Sequence, residues 1–358
     1  MFNFNELEDI HLEITNNCQA GCPMCGRNRF GGLENPLLRL KDWTITDFKT
    51  VMTEKVLTQI RGFFFCGNFG DPLLNNDLLR MCEYAKLINP KLNIRIHTNG
   101  SLRNRKWWEE LYSVLPKNHT VVFAIDGMKD THSVYRINTD FDKIIDNASA
   151  FISKGGIAEW MFIRFKHNEH QVDEAQLLAK KLGFKNFNLK NSSRFLLEPH
   201  VNVLDKDGNL THTIEPASDL PLKFIDKNII QSYKQLLKHI DIDCYALKNK
   251  EIYIDSFKNV FPCCWIAQIP YTYIEDNGAA EAKKEMLEQY YELVDKLGGI
   301  DMINSSNRSI QDIVNSIEYQ TVWTEFWTSN KLISCARSCG KTNMFSIPKD
   351  QFLNRIQL

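Results

Sequence analysis

Eight of the chain's ten cysteines fall into two groups, and thiols grouped in this way bind metals or carry redox chemistry. Cys18, Cys22 and Cys25 form a C-x3-C-x2-C run, three thiols within eight residues. Such a loop can hold three corners of one iron–sulfur cube. A four-iron cluster normally takes four thiolates, so this loop leaves one iron open to an exogenous ligand. A zinc loop is the plainer alternative, although zinc sites usually complete four ligands with paired C-x2-C or His motifs at short range. The second group is Cys244, the vicinal Cys263-Cys264, and Cys335 with Cys339. Of these, Cys244, Cys263, Cys335 and Cys339 could close one complete cluster or a structural zinc site. Cys66 and Cys82 stand apart, one inside a strand pattern and one on an apolar helical face, and both read as core residues.

The elements that must position these thiols alternate. From Asp9 to Lys190, short apolar runs interchange with amphipathic stretches, the pattern of parallel strands joined by helices. The expected strands are His11–Thr15, Gly62–Cys66, Asn93–His97, Val121–Asp126, Trp160–Phe165 and Phe187–Lys190. Helices are expected near Thr44–Met52, Phe141–Ile152 and Val172–Leu182, the last ended by Gly183. Six such units are too few for an eight-stranded barrel, so an open or partial barrel is the economical fold. Beyond Lys190 the alternation stops. A hairpin turn at Lys206-Asp207-Gly208-Asn209 and a helical stretch near Ile229–Ile240 follow, then a second hairpin pairing Glu251–Asp255 with Val260–Trp265. Helical patterns cover Ala279–Leu297 and Ser309–Ser316, and the spacing of Trp323, Phe326 and Trp327 reads as core packing.

Composition narrows the function classes. The 358 residues carry 43 Lys and Arg against 44 Asp and Glu, a formal charge of −1, so bulk electrostatics does not explain function and nucleic acid is not the expected partner. With 43% hydrophobic residues the chain is that of a folded globular protein. No apolar run is long enough to span a membrane and the first ten residues lack a signal-peptide pattern, so no membrane partner and a cytoplasmic location are expected. A reducing cytoplasm also favours metal or redox chemistry over disulfides for the grouped cysteines.

The cysteine run after the first strand resembles the signature of the radical S-adenosylmethionine (SAM) superfamily. Further stretches agree with the resemblance. Cys66-Gly67-Asn68-Phe69-Gly70-Asp71-Pro72 is similar to the family's GGEP segment, with Asp71 in place of the usual Glu. His97-Thr98-Asn99-Gly100 closes the third strand, where family members present polar groups to SAM. Ala124-Ile125-Asp126-Gly127 with Thr131-His132-Ser133-Val134-Tyr135-Arg136 resembles the SIDG…H…YR stretch of members with a C-terminal auxiliary-cluster domain, Ala124 standing where Ser is typical. The hairpin Ile254-Asp255…Val260-Phe261-Pro262-Cys263-Cys264 and the later Ser309-Ile310-Gln311-Asp312-Ile313 resemble SPASM and twitch domains, with Lys258 where Gly is usual.

The resemblance implies an α/β fold: a partial (β/α)6 radical SAM barrel over 1–190, a connecting, substrate-facing insertion over 191–240, a small α+β twitch- or SPASM-like domain over 241–345, and a C-terminal tail over 346–358. It implies a SAM-binding [4Fe-4S] cluster on Cys18, Cys22 and Cys25, and SAM contacts from Met24, Gly70, Asp71, Thr98, Asn99, Asp126 and Arg136, the last as a partner for the SAM carboxylate. It further implies a second, auxiliary [4Fe-4S] cluster on Cys244, Cys263, Cys335 and Cys339, with Cys263 favoured over Cys264. The implied activity is reductive cleavage of SAM to a 5′-deoxyadenosyl radical, which takes a hydrogen atom from substrate. An auxiliary cluster able to accept an electron favours a net oxidation of a peptide or protein side chain, or of a small polar metabolite. Flavodoxin or ferredoxin is the expected electron donor. The rival reading is a non-catalytic binding protein stabilised by zinc or an inert cluster. His167 and His170 are expected at the surface.

Overall fold

Six short strands lie side by side in chain order: β1 (Asp9–Leu12), β2 (Gly62–Phe65), β3 (Asn93–Thr98), β4 (His119–Ala124), β5 (Ala158–Arg164) and β6 (Asn186–Asn191). Every neighbouring pair among them is parallel. The coordinates are a computed structural model, which describes residues 1–192, 194–195, 200–220, 240–272, 280–329, 331–341 and 352–358. Side chains alternate across a strand, so each strand has two sets. One set, including Ile10, Phe63, Phe65, Ile94, Ile96, Phe123, Trp160 and Phe187, is fully buried and apolar. These residues pack beneath helices, as parallel strands joined by crossovers must. The other set is unusually polar. His11, Glu13, Arg95, His97, Glu159, Asn188 and Lys190 occupy it, and most of them line cavities inside the curve of the sheet.

The crossovers are α1 (Ile45–Val51), α2 (Glu54–Gln59), α3 (Leu78–Ile88), α4 (Arg105–Val114), α5 (His132–Tyr135), α6 (Phe141–Ser153) and α7 (Val172–Leu182). Thr44 caps α1: its hydroxyl accepts the Asp47 N–H while the Asp47 carboxylate accepts the Thr44 N–H, satisfying two otherwise orphaned donors. Gly183 ends α7 in the left-handed conformation, φ +87°. Cys82 is fully buried on α3, as its apolar surroundings require.

Beyond β6, the turn at Lys206–Asn209 joins β7 (Val201–Leu204) to β8 (Leu210–Ile214) in an antiparallel hairpin. The helical stretch expected near Ile229–Ile240 lies outside the described residues except for Ile240. Then α8 (Tyr245–Asn249) leads into β9 (Glu251–Ile254), which pairs parallel with β1, and β10 (Val260–Phe261) returns antiparallel to β9. That hairpin extends the main sheet. Its second strand stops at Phe261, short of the expected Trp265, because Pro262 has no N–H to donate and α9 (Cys264–Ala267) begins two residues on. Next come α10 (Ala280–Lys296), α11 (Ile310–Val314), capped by Ser309, α12 (Ile317–Thr328) and α13 (Ile333–Cys339). Trp323 and Phe326 are fully buried and Trp327 nearly so, in the same apolar core as the parallel strands.

The stretch over 346–358, read from sequence as a tail, contains β11 (Phe352–Gln357), antiparallel to β6. Its sequence alternates only weakly. What makes it a strand is the open edge of β6, a tertiary partner that no local pattern announces. The sheet thus has nine strands among the described residues, in the order β10-β9-β1-β2-β3-β4-β5-β6-β11. Among the described residues no helix is long and apolar enough to cross a membrane.

Candidate active site

The three clustered cysteines occupy the loop that leaves the C-terminal end of β1. The loop is held by backbone hydrogen bonds, Gly21 N–H to the Ile137 carbonyl at 2.9 Å and Cys25 N–H to the Cys22 carbonyl at 3.0 Å. The Asn28 side chain reaches back to the Ala20 carbonyl at 3.1 Å. A small apolar cluster packs around the loop: Ala20, Cys22, Tyr135 and Phe165 from the barrel, with Val203 and Ile214 from the β7–β8 hairpin. The hairpin is also bound to the loop's far side, where the Leu204 N–H meets the Phe30 carbonyl at 2.8 Å.

Cys18, Cys22 and Cys25 all line one cavity of about 330 Å3 at the C-terminal ends of the strands. Its walls include Gly67 to Asp71, Thr98, Asn99, Ala124 and Arg136. Ala20 N–H donates to the Cys18 sulfur at 3.4 Å, and the Asn99 side-chain amide lies 3.8 Å from it. Arg136 Nη1 is 3.7 Å from the Cys22 sulfur. Burial pushes the Cys18 thiol well above the ordinary range and also raises Cys22, where the Arg136 guanidinium pulls the other way. Among the described residues, no three His, Cys, Asp or Glu side chains close on a single ion. The thiols instead stand around a cavity with donors aimed at two of them, an arrangement that suits an anionic cluster with one open corner.

Asp71 organises the wall. Its carboxylate accepts the Leu73 N–H at 3.0 Å, the Thr98 hydroxyl at 2.9 Å, the Asn99 N–H at 2.8 Å and the Asn99 side-chain amide at 2.6 Å. Asn99 Oδ1 in turn accepts the Gln19 amide at 2.9 Å, which ties this network to the cysteine loop. The Asp71 carboxylate is thus spent on the turn at Leu73 and on the end of β3. Gly70 is there for space: a Cβ would stand 1.9 Å from the Thr15 carbonyl oxygen. Arg136 lines the cavity, its Nε donating to Asp126 Oδ2 at 2.6 Å. Asp126 itself is fully buried, its other oxygen accepting the Ile163 N–H at 2.5 Å. It therefore aims Arg136 and does not line the cavity. Met24 also lies outside that cavity, beside a neighbouring groove, its sulfur 3.5 Å from the Ser192 hydroxyl.

Several residues of the site were not singled out from sequence. Glu13, 2% exposed, accepts the Phe69 and Gly70 N–H groups at 2.8 and 3.2 Å and the Tyr253 hydroxyl. Burial pushes its carboxyl up to about 7 against those three donors. A Glu in an apolar strand, two residues from His11 and so on the same face, was the available signal. Cys66 sits one residue beyond β2 and lines the cavity, so it is not the plain core residue its strand setting suggested. His97 lines the cavity as well, and burial with the nearby Arg95 and Lys190 charges lowers it to about 3, keeping the imidazole neutral. His167 stacks on Phe165 at 5.4 Å with both ring nitrogens buried, unlike its expected surface position, whereas His170 is exposed.

The second cysteine set converges too. Cys244, Cys263, Cys335 and Cys339 line one small cavity, and Cys264 does not. Cys244 and Cys263 are the residues preceding α8 and α9, while Cys335 and Cys339 are four apart on one face of α13. Burial pushes Cys263 up to about 12, and the Ile266 and Trp265 N–H groups at the start of α9 pull the other way. Free N–H groups at a helix start favour an anion there, as a cluster thiolate would be. The Asp243 N–H to Cys339 carbonyl bond at 2.7 Å holds the two ends of the set together. The two cysteine regions are also wired to each other. Asn68, in the cavity wall, donates to the Cys264 carbonyl at 2.9 Å and to the Tyr253 hydroxyl at 3.3 Å.

No family model matches the chain, and no curated protein matches it. Solved structures do. A hexahistidine-tagged anSMEcpe with bound AdoMet matches with a TM-score of 0.52 at 14% identity, over 96% of this chain and 92% of that one. Native anSMEcpe with bound AdoMet and a Cp18Cys peptide gives 0.51 at 14%, over 96% and 91%. SuiB of Streptococcus suis gives 0.50 at 15%, over 80% of this chain and 65% of SuiB, so this chain spans somewhat less than two thirds of SuiB's length. These are radical SAM enzymes, and theirs is the fold of this chain.

Proposed function

We propose that the chain is a radical SAM enzyme carrying a SAM-binding cluster and an auxiliary cluster. The observation that carries this reading is the meeting of Cys18, Cys22 and Cys25 in one cavity with the Gly67–Asp71 loop and Arg136, in the fold of such enzymes. A four-iron cluster with S-adenosylmethionine, when bound there and reduced, supplies a 5′-deoxyadenosyl radical able to take hydrogen from an unactivated carbon. The chain's own residues bind and aim. Cys18, Cys22 and Cys25 hold the cluster, and Arg136, fixed by Asp126, offers its guanidinium to the SAM carboxylate. Asp71, Thr98 and Asn99 keep the wall in register through their mutual hydrogen bonds. Gly70 lets the loop close against Thr15, and Met24 packs the loop's outer side. His97 stands in the wall as a neutral imidazole, its protonated form disfavoured by burial and by the Arg95 and Lys190 charges.

The auxiliary cluster of this proposal sits on Cys244, Cys263, Cys335 and Cys339, within a unit spanning 241–345 that follows the barrel of 1–190 and the insertion of 191–240. With four thiolates it has no iron open to substrate, which suits outer-sphere electron acceptance. That favours a net oxidation of a peptide side chain or a small polar molecule. The presence of a Cp18Cys peptide in the anSMEcpe structure supports the peptide branch. Flavodoxin or ferredoxin is the proposed reductant, and cysteines grouped to hold clusters suit a reducing, cytoplasmic setting. Iron and acid-labile sulfide counts test the proposal. About eight irons in anaerobically reconstituted protein, falling to about four in a Cys18, Cys22, Cys25→Ala triple variant, are expected for two four-iron sites. Zinc in place of iron at both sets would support the non-catalytic binding protein instead.

A further inference from the structure

A second cavity is larger than the one at the cysteines. A chamber of about 550 Å3 opens at the opposite, N-terminal end of the strands. It lies beneath the cysteine cavity, and His97 and Met161 belong to the walls of both. Six charged side chains line it: Asp9, Arg61, Arg95, Glu159, Glu251 and Arg355. A barrel interior is ordinarily filled by layers of branched apolar residues, so six charges around an open space need a reason.

Four of the six answer one another. Arg61 pairs with Asp9. Arg355 Nη2 meets Glu159 Oε1 at 2.7 Å, and the Asn186 and Asn188 amides each donate to Glu159 at 3.0 Å. Two remain. Glu251 is only 8% exposed, and among the described residues it has neither a hydrogen bond nor an ion pair. Burial and the neighbouring Asp9 carboxylate push it up to about 7, the response of a buried acid with no cation to meet it. Arg95 likewise lacks an ion pair among the described residues, and its Nε is buried without an acceptor. Leaving a buried acid and a largely enclosed base unanswered costs several kcal/mol in general, and such a cost persists where a ligand supplies the partners.

We propose that this lower chamber is a binding site for a zwitterionic small molecule, its ammonium group meeting Glu251 and its carboxylate meeting Arg95. The chamber offers one unmatched negative and one unmatched positive group, with the remaining wall charges already neutralised in pairs. A ligand of one sign would satisfy one group and leave the other unanswered. A neutral ligand would satisfy neither. The volume is ample for an amino acid with a large side chain. The site is separate from the cysteines, so its occupation does not depend on the radical SAM reading.

The test is equilibrium binding to the full chain by calorimetry and by thermal shift. Probes are the α-amino acids and the straight-chain ω-amino acids from β-alanine to 6-aminohexanoate, in which the separation of the charges grows along the series. Saturable binding by at least one member is expected. Blocking its ammonium by N-acetylation, or its carboxylate as the amide, should each weaken binding at least tenfold. Glu251→Gln should abolish the discrimination against the N-acetyl form, and Arg95→Gln the discrimination against the amide. Glu251→Asp, which keeps the charge, should retain the preference for a free ammonium. No saturable binding across both series would overturn the proposal, as would a binder equally tolerant of both blocked forms. Binding that is left intact in folded Glu251→Gln and Arg95→Gln proteins would overturn it too.

Discussion

Glu251 shows at the scale of one residue how function and stability pull apart. Its carboxyl sits near 7 in the folded chain against 4.5 for the free group. Between those values the folded protein holds a proton that the unfolded chain has released, so this residue's contribution to stability falls as pH rises through that window. Above it the penalty is complete, at most roughly 3 kcal/mol for a shift of this size. Glu251→Gln should therefore raise the melting temperature at pH 8 and have little effect at pH 5, as read by thermal unfolding of ligand-free protein. A gain that is equal at both pH values would show that the group does not carry this penalty. The C-x3-C-x2-C spacing made the first thiol set legible at this scale because its members are local in sequence, whereas the second, spread from Cys244 to Cys339, was grouped by its resemblance to SPASM and twitch domains. Glu251 and Arg95 were not legible: their significance lies in what does not face them, which only the folded chamber defines. Asp126 was legible as an important position, but its work of aiming Arg136 depends on a contact across ten residues and a turn.

Two elements buttress the cysteine loop, the loop after β2 and the β9–β10 hairpin. Gly70→Ala places a Cβ against the Thr15 carbonyl, so the loop must move away from the Glu13 carboxylate that now receives its N–H groups. We expect SAM binding to weaken at least tenfold, with a stability loss of about 1–3 kcal/mol. Isothermal titration with SAM and denaturant unfolding measure the two separately. In the hairpin, Lys258 adopts φ +71°, the conformation for which glycine is usual, and its ammonium pairs with Asp47. Lys258→Ala keeps the strained backbone and loses the ion pair, whereas Lys258→Gly loses the pair and relieves the strain. The Ala variant should be less stable than the Gly variant by about 1 kcal/mol, read from urea midpoints. The six parallel strands could be read from the sequence because each carries apolar residues at alternate positions or in a short run and is bounded by helix signals. β11 could not, since its edge position makes it a strand only when β6 lies beside it.

At the scale of the whole molecule, the cysteine cavity and the second cysteine set belong to one body. β9 pairs with β1, and Tyr253 on β9 donates its hydroxyl to Glu13 at the end of β1. Asn68 then links the same hydroxyl to the Cys264 backbone. Tyr253→Phe removes a donor from a buried carboxylate, which costs about 1–3 kcal/mol. It should also weaken SAM binding although Tyr253 is outside the cavity wall. A stability loss with unchanged SAM affinity would show that the two regions are mechanically independent. The measurement that bears most directly on the central claim is SAM cleavage. Anaerobically reconstituted protein, given SAM and dithionite without substrate, should form 5′-deoxyadenosine and methionine in equal amounts, and Cys25→Ala should form neither. Intact SAM after prolonged incubation of fully iron-loaded protein, or equal product from the Cys25→Ala variant, would contradict the assignment of radical chemistry to this cavity.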